Sequence, residues 1–390
     1  NENQMASTLN KIGILTFVAN EDHGVLNYTK SLIDALKNDS TNKYILFCNQ
    51  NDDRFDNYNL EIRKLYKPKS SYFNKFVTFI QLIFYIRKPY LLKKDEIDLF
   101  GDINFFISPA VSAYPHYFLN KPFVFTLHDM QEKYYPYYFT FYERFRRWLN
   151  NKTLVKYAHK IICESDYVKN DIIKFTKTNP EKIKVIKSPP PENLLNFSFN
   201  KSQFTKLKIK YNLPKTYIFY PAQSWPHKNH LHLLEAFSIV NEEYDDIYLV
   251  LTGNIDSNYK NILKRIDELS IADKVKHLGC ISYEELLYIY KMSIMLVMPT
   301  LFESVSIPIY ESFFLKVPVC ASNVVALPEQ VGDAGILFNP NDVYDMAEKI
   351  SDLLSNENLR NEKKTLGFEM VSNFNHKEYM KKLMTVLNQS

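Results

Sequence analysis

Two glutamates, Glu303 and Glu311, flank a proline in the segment FESVSIPIYE, which spans residues 302–311. Pro308 suits the first turn of a helix, where its missing N–H costs nothing. We therefore expect Glu303 in the loop before a helix and Glu311 about one turn inside it. The backbone N–H groups and the positive dipole end of a helix N-terminus favour a phosphate. The segment predicts a site that holds a sugar, a diphosphate and a ribose.

A second group of polar side chains follows a candidate strand, in the segment PAQSWPHKNH at 221–230. A helical pattern with an apolar face comes directly after it. A cation is unfavourable at a helix N-terminus, so Lys228 favours a role beside a phosphate over that of a solvated surface lysine.

A histidine and an aspartate end the apolar run at 123–127, where a parallel sheet exposes its carboxyl edge. A lone histidine such as His128 is more often a structural residue than a catalytic one. Asp129 could orient His128 or cap a helix, and both interpretations stay open. Gly24, in the turn after the first strand, and Gly253, at the end of a later one, fit either a ligand site or a plain turn.

Short apolar runs alternate with helical patterns along the whole chain, which is typical of α/β domains built on parallel sheets. The candidate strands of the first half are 12–17, 44–48, 103–107, 123–127, 161–163 and 183–186. Those of the second half are 217–220, 247–251, 275–278, 294–298, 317–320 and 336–338. The candidate helices are 229–241, 258–269, 283–291, 308–315, 342–354 and 376–388. The Ser-Pro-Pro-Pro segment at 188–191 can continue neither a helix nor a strand and is the candidate linker.

The region 298–342 resembles the retaining glycosyltransferases of family 4. It carries Pro-Thr before a Glu-x7-Glu, then an alternating apolar strand, then PEQVGDAG at 328–335, in register over more than forty positions. The resemblance implies the GT-B fold, an α/β architecture of two Rossmann-like doubly wound domains that face one another across a cleft. The segment WPHKNH at 225–230 is similar to that of a subgroup of such sequences.

The resemblance also implies roles for the donor-side residues. Glu303 would contact hydroxyls of the donor sugar, and Glu311 would bind the ribose hydroxyls of the nucleotide. Lys228 would neutralise the departing diphosphate, with Gln223 and His227 beside it. The backbone of 305–307 would hold the phosphates.

The resemblance implies roles for four further residues. His128 would reach the sugar or the acceptor, and Gly24 and Asp129 would lie on the acceptor side. Gly253 would lie near the nucleotide base. We expect His128, Lys228 and Glu303 to be the catalytic residues.

The sequence departs from the family pattern at three places. Val305 and Ser306 stand where Phe-Gly is usual, so Ser306 could add a hydroxyl contact to the phosphates, or the donor could bind in a slightly different position; Ile307 would still contribute its backbone. Ala222 and Gln223 stand where Gly-Arg is expected. A single glycine remains of a Gly-Gly pair in the first turn.

The implied organisation has three parts. Residues 1–195 would form the acceptor-binding domain, residues 196–372 the nucleotide-sugar-binding domain, and residues 373–390 a C-terminal helix that returns to the first domain. The activity would be retaining transfer from a nucleotide diphosphate sugar to a saccharide or lipid-linked saccharide, with GDP-mannose favoured and a UDP-sugar next. A non-catalytic nucleotide-sugar-binding protein, and an epimerase or hydrolase on the same fold, are the alternatives.

Composition and missing motifs argue against several other classes of protein. A net charge of +4 on 390 residues is too mild to indicate nucleic acid. No Gly-x-Gly-x-x-Gly, no Walker loop and no Asp-x-Asp occurs, so we expect no cofactor and no metal. The four cysteines lie far apart and predict free, buried thiols of a reducing, cytoplasmic compartment. The longest apolar run, at 76–86, is too short to span a membrane.

The aromatic stretch 134–149 contains three arginines, Arg144, Arg146 and Arg147. A basic aromatic helix can lie on an anionic membrane surface, and the segment 73–86 could add to it. The alternative is a core-packing helix whose arginines extend to solvent. Both interpretations stay open, and the first would make the protein a peripheral partner of the inner face of the cell membrane.

Overall fold

A computed structural model describes residues 10–18, 23–65, 72–86, 94–112, 121–255 and 258–388. The chain divides into two compact units. Unit 1 comprises Asn1–Pro191 and Asn375–Ser390, and unit 2 comprises Glu192–Phe374.

The first unit is built on a parallel sheet of seven strands in the order β3-β2-β1-β4-β5-β6-β7. The strands are β1 Asn10–Leu15, β2 Asn42–Asn49, β3 Glu61–Leu65, β4 Phe105–Ser108, β5 Phe123–Thr126, β6 Lys160–Cys163 and β7 Ile183–Val185. The inner strands are apolar on both faces, because helices cover both sides of a parallel sheet. The strand order reverses between β1 and β4, and ligands of such sheets bind at the carboxyl ends near this point.

The helices of unit 1 lie between these strands, with one exception at the C-terminus. They are α1 His23–Leu36, α2 Tyr72–Ile83, α3 Lys94–Asp98, α4 Phe141–Tyr157, α5 Asp166–Thr176 and α15 His376–Asn388. Short 3-10 helices span Gln131–Lys133, Pro136–Tyr138 and Pro180–Lys182. The C-terminal helix α15 packs on α1, and the hydroxyls of Tyr28 and Tyr379 lie 3.1 Å apart in this contact.

The second unit is built on a parallel sheet of six strands in the order β10-β9-β8-β11-β12-β13. The strands are β8 Tyr217–Pro221, β9 Tyr248–Thr252, β10 Val275–His277, β11 Met295–Met298, β12 Val319–Ser322 and β13 Gly335–Phe338. The strand order reverses between β8 and β11, so the loops that leave these two strands are neighbours.

The helices of unit 2 surround this sheet and bury one apolar core. They are α6 Glu192–Leu195, α7 Lys201–Lys210, α8 His230–Glu243, α9 Tyr259–Glu268, α10 Tyr283–Met292, α11 Ile307–Phe314, α12 Leu327–Val331, α13 Val343–Ser355 and α14 Glu357–Val371. Two 3-10 helices span Pro226–Lys228 and Gly332–Ala334.

Strand β3 and helix α14 were not among the sequence-based expectations. Strand β3 lies at the sheet edge, where charged residues replace the apolar pattern. Its Arg63 pairs with Glu61 and with Asp102 at 2.7 and 2.6 Å. These charges hide the strand from any search for apolar runs.

Two further expectations can be compared with the structure, one about the cysteines and one about membrane-spanning helices. Cys48, Cys163 and Cys320 are buried, but Cys280 is exposed, which corrects the expectation of four buried thiols. In the described ranges, no helix has both the length and the apolar character needed to cross a membrane.

Candidate active site

The loop after β8 is held in place by β8 itself and by the segment that follows β11. Tyr220, in β8, donates its hydroxyl to the Lys228 carbonyl at 2.7 Å. The His227 carbonyl accepts from the N–H of Leu301 at 2.8 Å and from the hydroxyl of Thr300 at 3.1 Å. The two loops at the reversal of strand order therefore form one hydrogen-bonded unit.

Asn229 completes the loop and begins helix α8. It adopts a left-handed conformation with φ of 60°, which asparagine tolerates better than most residues. Its buried amide donates to the carbonyls of Pro299 and Pro340, each at 2.9 Å. The next residue, His230, is buried, and burial, with the charges of His277 and Lys228, lowers its pKa to about 3. His230 is therefore neutral and adds no charge beside Lys228.

Lys228 and Glu303 meet at the carboxyl ends of β8 and β11. The ammonium nitrogen lies 2.5 Å from Oε2 of the carboxylate. The two side chains are 16% and 19% exposed, so the pair is sheltered but reachable. Sequence analysis predicted a role in the site for each of these residues from a separate motif, although they are 75 positions apart. The structure brings the two side chains into contact.

Ser306 is the residue before helix α11, where the phosphate contact was expected. Its N–H donates to the side-chain carbonyl oxygen of Gln330 at 2.8 Å, and its own carbonyl accepts from the same amide at 2.6 Å. The hydroxyl of Ser306 is buried and has no hydrogen-bond partner among the described residues. The backbone N–H of Ser306 is therefore committed to Gln330.

The neighbours of Ser306 keep the expected position. Val305 packs against the core of unit 2, and Ile307 is the first residue of α11. Glu311 is the fifth residue of that helix and is buried. Sequence analysis did not identify Gln330 as a site residue. The only feature in the sequence that could have indicated it is an amide side chain near the apolar residues of 327–331.

Glu311 accepts a hydrogen bond from the hydroxyl of Tyr283 at 2.7 Å. Burial raises the pKa of Glu311, and the hydrogen bond from Tyr283 opposes that shift in part. Tyr283 opens helix α10, so the carboxylate is held between two helices. A ribose hydroxyl could take the place of the tyrosine hydroxyl on this carboxylate.

Gly253 directly follows strand β9, at the edge of the sheet where the neighbouring strand β8 also ends. Its φ is +137°, and a β-carbon at this position would meet the carbonyl oxygen of Ala222 at 2.2 Å. The N–H of Ala222 in turn donates to the Thr252 carbonyl at 3.0 Å. This glycine therefore does more than form a turn, because it lets the backbone of Ala222 and Gln223 approach the neighbouring strand.

His128 follows strand β5 in unit 1, and both of its ring nitrogens face acceptors. Nδ1 lies 2.7 Å from Oε2 of Glu164, and Nε2 lies 2.8 Å from the Pro109 carbonyl. Two acceptors are both matched only when each ring nitrogen carries a proton, so this geometry favours the imidazolium form. Burial alone would lower the pKa of His128, but the charge and hydrogen bond of Glu164 and the Pro109 carbonyl outweigh it and raise the pKa.

Glu164 is the residue that sequence analysis missed in this unit. It is buried at the end of β6, and it also accepts a hydrogen bond from the hydroxyl of Ser188. The ring of Tyr28 meets His128 edge-on at 4.8 Å. The signal in the sequence was one carboxylate directly after an apolar strand, which also suits an ordinary helix start.

Asp129 caps a turn, and among the described residues it forms no hydrogen bond with the His128 ring. Its Oδ1 accepts from the N–H of Gln131 at 3.1 Å and lies 3.5 Å from Arg147. Gly24 is the second residue of helix α1, so it lies inside the helix and not in the turn before it. A β-carbon there would meet nothing within 4 Å. No hydrogen bond among the described residues joins Gly24 or Asp129 to another predicted site residue. The acceptor-side roles of both residues therefore stay predictions.

Over the described ranges, no group of three or more His, Cys, Asp or Glu side chains could hold a metal ion.

Two family matches cover the two units. Residues 23–189 match Glycosyltransferase Family 4, and residues 202–368 match Glycosyl transferases group 1. The first match contains His128 and Asp129, and the second contains Lys228, Glu303 and Glu311.

Curated relatives point in the same direction. The chain is 30% identical over 217 residues to the O-antigen chain mannosyltransferase RfbU of Salmonella typhimurium, which covers 56% of each chain. It is 28% identical over 205 residues to O-antigen chain mannosyltransferase B of Escherichia coli, which covers 52% of this chain and 53% of the relative. The chain thus spans about half the length of these relatives.

Solved structures of similar fold cover nearly the whole chain. Anabaena HepE, crystallised with UDP and glucose, superposes with a TM-score of 0.77 at 14% identity over 98% of this chain and 100% of its own. A glycosyltransferase from Rickettsia africae gives a TM-score of 0.74 at 17% identity, with coverages of 98% and 100%. The two parallel sheets have the GT-B fold, and with one family match in each unit the chain belongs among the glycosyltransferases of the family 4 kind.

Proposed function

We propose that this protein is a retaining glycosyltransferase that moves a sugar from a nucleotide diphosphate sugar to a saccharide or lipid-linked saccharide in bacterial surface polysaccharide synthesis. The contact between Lys228 and Glu303 carries the proposal. It places a cation and a carboxylate together where the strand order of unit 2 reverses, which is the usual ligand position of such sheets.

Lys228 and Glu303 can bind different parts of a donor. The diphosphate competes with Glu303 for the ammonium of Lys228, and the carboxylate is then released to accept hydrogen bonds from two vicinal sugar hydroxyls. Lys228 neutralises charge as it develops on the leaving diphosphate, which is the largest requirement of the reaction.

The proposed step is front-side attack. The bond between the anomeric carbon and the phosphate oxygen breaks, the acceptor oxygen bonds to the same face of that carbon, and its proton passes to the departing phosphate. A covalent intermediate on Glu303 is the less favoured route, because the resemblance gives this carboxylate the role of binding the sugar hydroxyls. Fixed cations, and no metal ion, would balance the diphosphate.

The departures from the family pattern place new limits on the phosphate contacts. Because Gln330 occupies the N–H of Ser306, we infer that the diphosphate is met by Lys228, Gln223 and the backbone of Ile307. His227 remains the candidate for a second cation. Glu311 would hold the ribose in place of the Tyr283 hydroxyl.

In unit 1, His128 contributes as a fixed imidazolium. Its two N–H groups are engaged, so a proton-transfer role would first require Glu164 or Pro109 to release it. We propose that its charge, rather than a mobile proton, acts on the sugar or the acceptor. Gly24 and Asp129 complete the proposed acceptor side.

The donor is proposed to be GDP-mannose, with a UDP-sugar as the second choice. The mannosyltransferase names of the curated relatives support mannose. The site of action is proposed to be the cytoplasm or the inner face of the membrane, where nucleotide sugars are available to a lipid-linked acceptor.

A non-catalytic binding protein is the alternative, and the occupied N–H of Ser306 favours it. The products formed from GDP-mannose separate these functions. A transferase releases GDP faster when octyl mannoside is present as acceptor, and a hydrolase releases GDP and free mannose without acceptor. An epimerase converts GDP-mannose into its epimer without releasing GDP, and a binding protein forms no product.

Thermal unfolding of the full chain tests the donor site without knowledge of the acceptor. We expect GDP to raise the melting temperature more than guanosine does, because only a ligand of the native state stabilises it. Lys228→Met should abolish the advantage of GDP over guanosine. Lys264→Met, at a lysine that is 76% exposed in the same unit, is the matched control and should keep it.

Equal stabilisation by GDP and guanosine in the unaltered protein would contradict a diphosphate site at Lys228. UDP and ADP in the same experiment report the base preference. A larger shift with UDP than with GDP would overturn the choice of GDP-mannose but not the site.

A further inference from the structure

Helices α2 and α4 of unit 1 pack side by side and expose aromatic rings on one surface. Six rings form it, and we call it the aromatic surface. They are Phe73, Phe76 and Phe79 of α2 and Phe141, Phe145 and Trp148 of α4. Phe141 is 81% exposed, Phe73 is 70% exposed and Phe76 is 60% exposed. Rings of this size are normally buried, so this surface calls for a covering partner.

The rings belong to two helical stripes that touch. In α4, Phe141, Phe145 and Trp148 are spaced by four and three residues, which places them on one helix face. Phe79 of α2 lies 5.7 Å from Phe145, and Phe145 lies 5.6 Å from Trp148, measured between ring centroids. The two stripes therefore make one continuous apolar surface.

The same helices are anchored to unit 1 through their other faces. Leu149, Leu154 and Val155 of α4 are buried. Thr153 donates its hydroxyl to the Leu82 carbonyl at 3.4 Å, which ties α4 to α2. The expectation of a core-packing helix thus holds for the C-terminal half of α4, whereas its N-terminal half is exposed.

Basic side chains surround these rings. Residues 72–86 and 137–157 contain six lysines and arginines and a single carboxylate, although the whole chain has a net charge of only +4. That carboxylate, Glu143, is engaged in the capping box of α4 with Thr140. Arg147 pairs with Asp129 and Glu132, so the other five cations give these two segments their excess of positive charge.

Three of the cations are exposed next to the rings. Lys152 lies 5.0 Å from the ring centroid of Trp148, one turn further along α4. Arg144 is spaced three and four residues from Phe141 and Trp148, so it borders the same stripe, and Lys75 precedes Phe79 by one turn. Among the described residues, none of these three has an ion-pair partner.

We propose that the aromatic surface docks on an anionic lipid bilayer, with the rings in the interface and the cations on the headgroups. Aromatic side chains are favoured at the membrane–water interface. A basic amphipathic surface binds anionic lipid through both apolar burial and charge. The charge of the surface selects an anionic bilayer over a second copy of this chain, which would bring like charges together. This proposal does not depend on the transfer activity.

Vesicle co-sedimentation of the full chain tests the docking. We expect binding to phosphatidylcholine vesicles that contain one part in four of phosphatidylglycerol, at least tenfold weaker binding to phosphatidylcholine alone, and weakening by salt. Phe76→Ser with Phe141→Ser should reduce binding at least tenfold. Arg144→Gln with Lys152→Gln should remove the preference for the anionic lipid.

Matched controls lie in unit 2. Tyr344→Ser changes an equally exposed aromatic ring, and Lys264→Gln changes an exposed lysine. Both should bind vesicles as the unaltered protein does. Trp225→Phe leaves Trp148 as the single tryptophan, and its fluorescence should shift to shorter wavelength on vesicles.

Several results would overturn the proposal. They are no binding to the anionic vesicles, an equal loss of binding in the controls, or Trp148 fluorescence that does not change. If light scattering shows a dimer that Phe76→Ser with Phe141→Ser dissociates, the surface is an interface between copies. The GDP-induced stabilisation of the aromatic variants should equal that of the unaltered protein, so a failure here is distinguishable from a failure of the donor site.

Discussion

The ammonium of Lys228 lies 2.5 Å from a carboxylate oxygen of Glu303, although 75 positions separate the two residues. The contact exists because β8 and β11 are adjacent parallel strands, and the residues that follow them leave from the same edge of the sheet. This ion pair holds both side chains in place. Under the proposed function, a donor diphosphate that binds Lys228 takes the place of Glu303.

Glu303→Gln should separate sugar recognition from nucleotide recognition. The amide keeps the shape of the side chain but loses the charge that strengthens hydrogen bonds from sugar hydroxyls. We expect kcat for transfer to fall about 100-fold, while stabilisation by GDP is kept or increased, because Lys228 is released. Glu329→Gln, at an exposed carboxylate of the same unit, is the control. Loss of GDP binding together with activity would contradict the assignment of Glu303 to the sugar.

Gln330→Leu should destabilise the loop before α11. The leucine removes both hydrogen bonds to Ser306 and leaves a buried N–H and a buried carbonyl without partners. We expect a loss of about 2–4 kcal/mol in the free energy of unfolding, measured by denaturant titration. The KM for the donor should rise more than kcat falls, because the loop loses its shape and the reacting groups remain.

Ser306→Gly is the matched change on the other side of this contact. It restores the residue usual in the family and removes a hydroxyl that has no partner in the described part of the chain, while the backbone hydrogen bonds to Gln330 stay. We expect it to cost less than about 1 kcal/mol. A larger loss for Ser306→Gly than for Gln330→Leu would show that the amide does not hold the loop.

Sequence patterns predicted the positions of Glu303 and Lys228 because each is tied to local structure, a proline-primed helix start in one case and a strand–loop–helix junction in the other. Glu164 and Gln330 could not be predicted in this way. Glu164 directly follows an apolar strand and Gln330 stands next to Glu329, so each has ordinary polar neighbours, and its partner is 36 or 24 positions away. Only the sheet order and the helix packing bring these partners together. The edge strand 61–65 escaped detection because charge replaces its apolar pattern.

The ion pair of His128 and Glu164 predicts a pH dependence of stability. The pKa of His128 is raised, so its contribution to stability is complete below the ordinary histidine pKa of about 6.5 and is lost as the pH rises through the higher, folded-state pKa. The melting temperature should therefore decline above pH 6.5. Glu164→Gln should flatten this decline, because the amide cannot hold the imidazolium charge. Glu181→Gln, at an exposed carboxylate of unit 1, should leave the decline unchanged.

Gly253→Ala should damage both stability and nucleotide binding. The new methyl group would meet the Ala222 carbonyl at 2.2 Å, at a φ of +137° that side chains rarely adopt. We expect a loss of about 2–4 kcal/mol and a smaller GDP-induced rise in melting temperature, because Ala222 and Gln223 must move. Gly279→Ala separates the two causes. Its φ is +70° and a β-carbon there meets nothing within 4 Å, so it should cost only about 1 kcal/mol and leave the loop of Gln223 in place. Equal effects of the two changes on GDP binding would show that close approach to Ala222 does not shape the site.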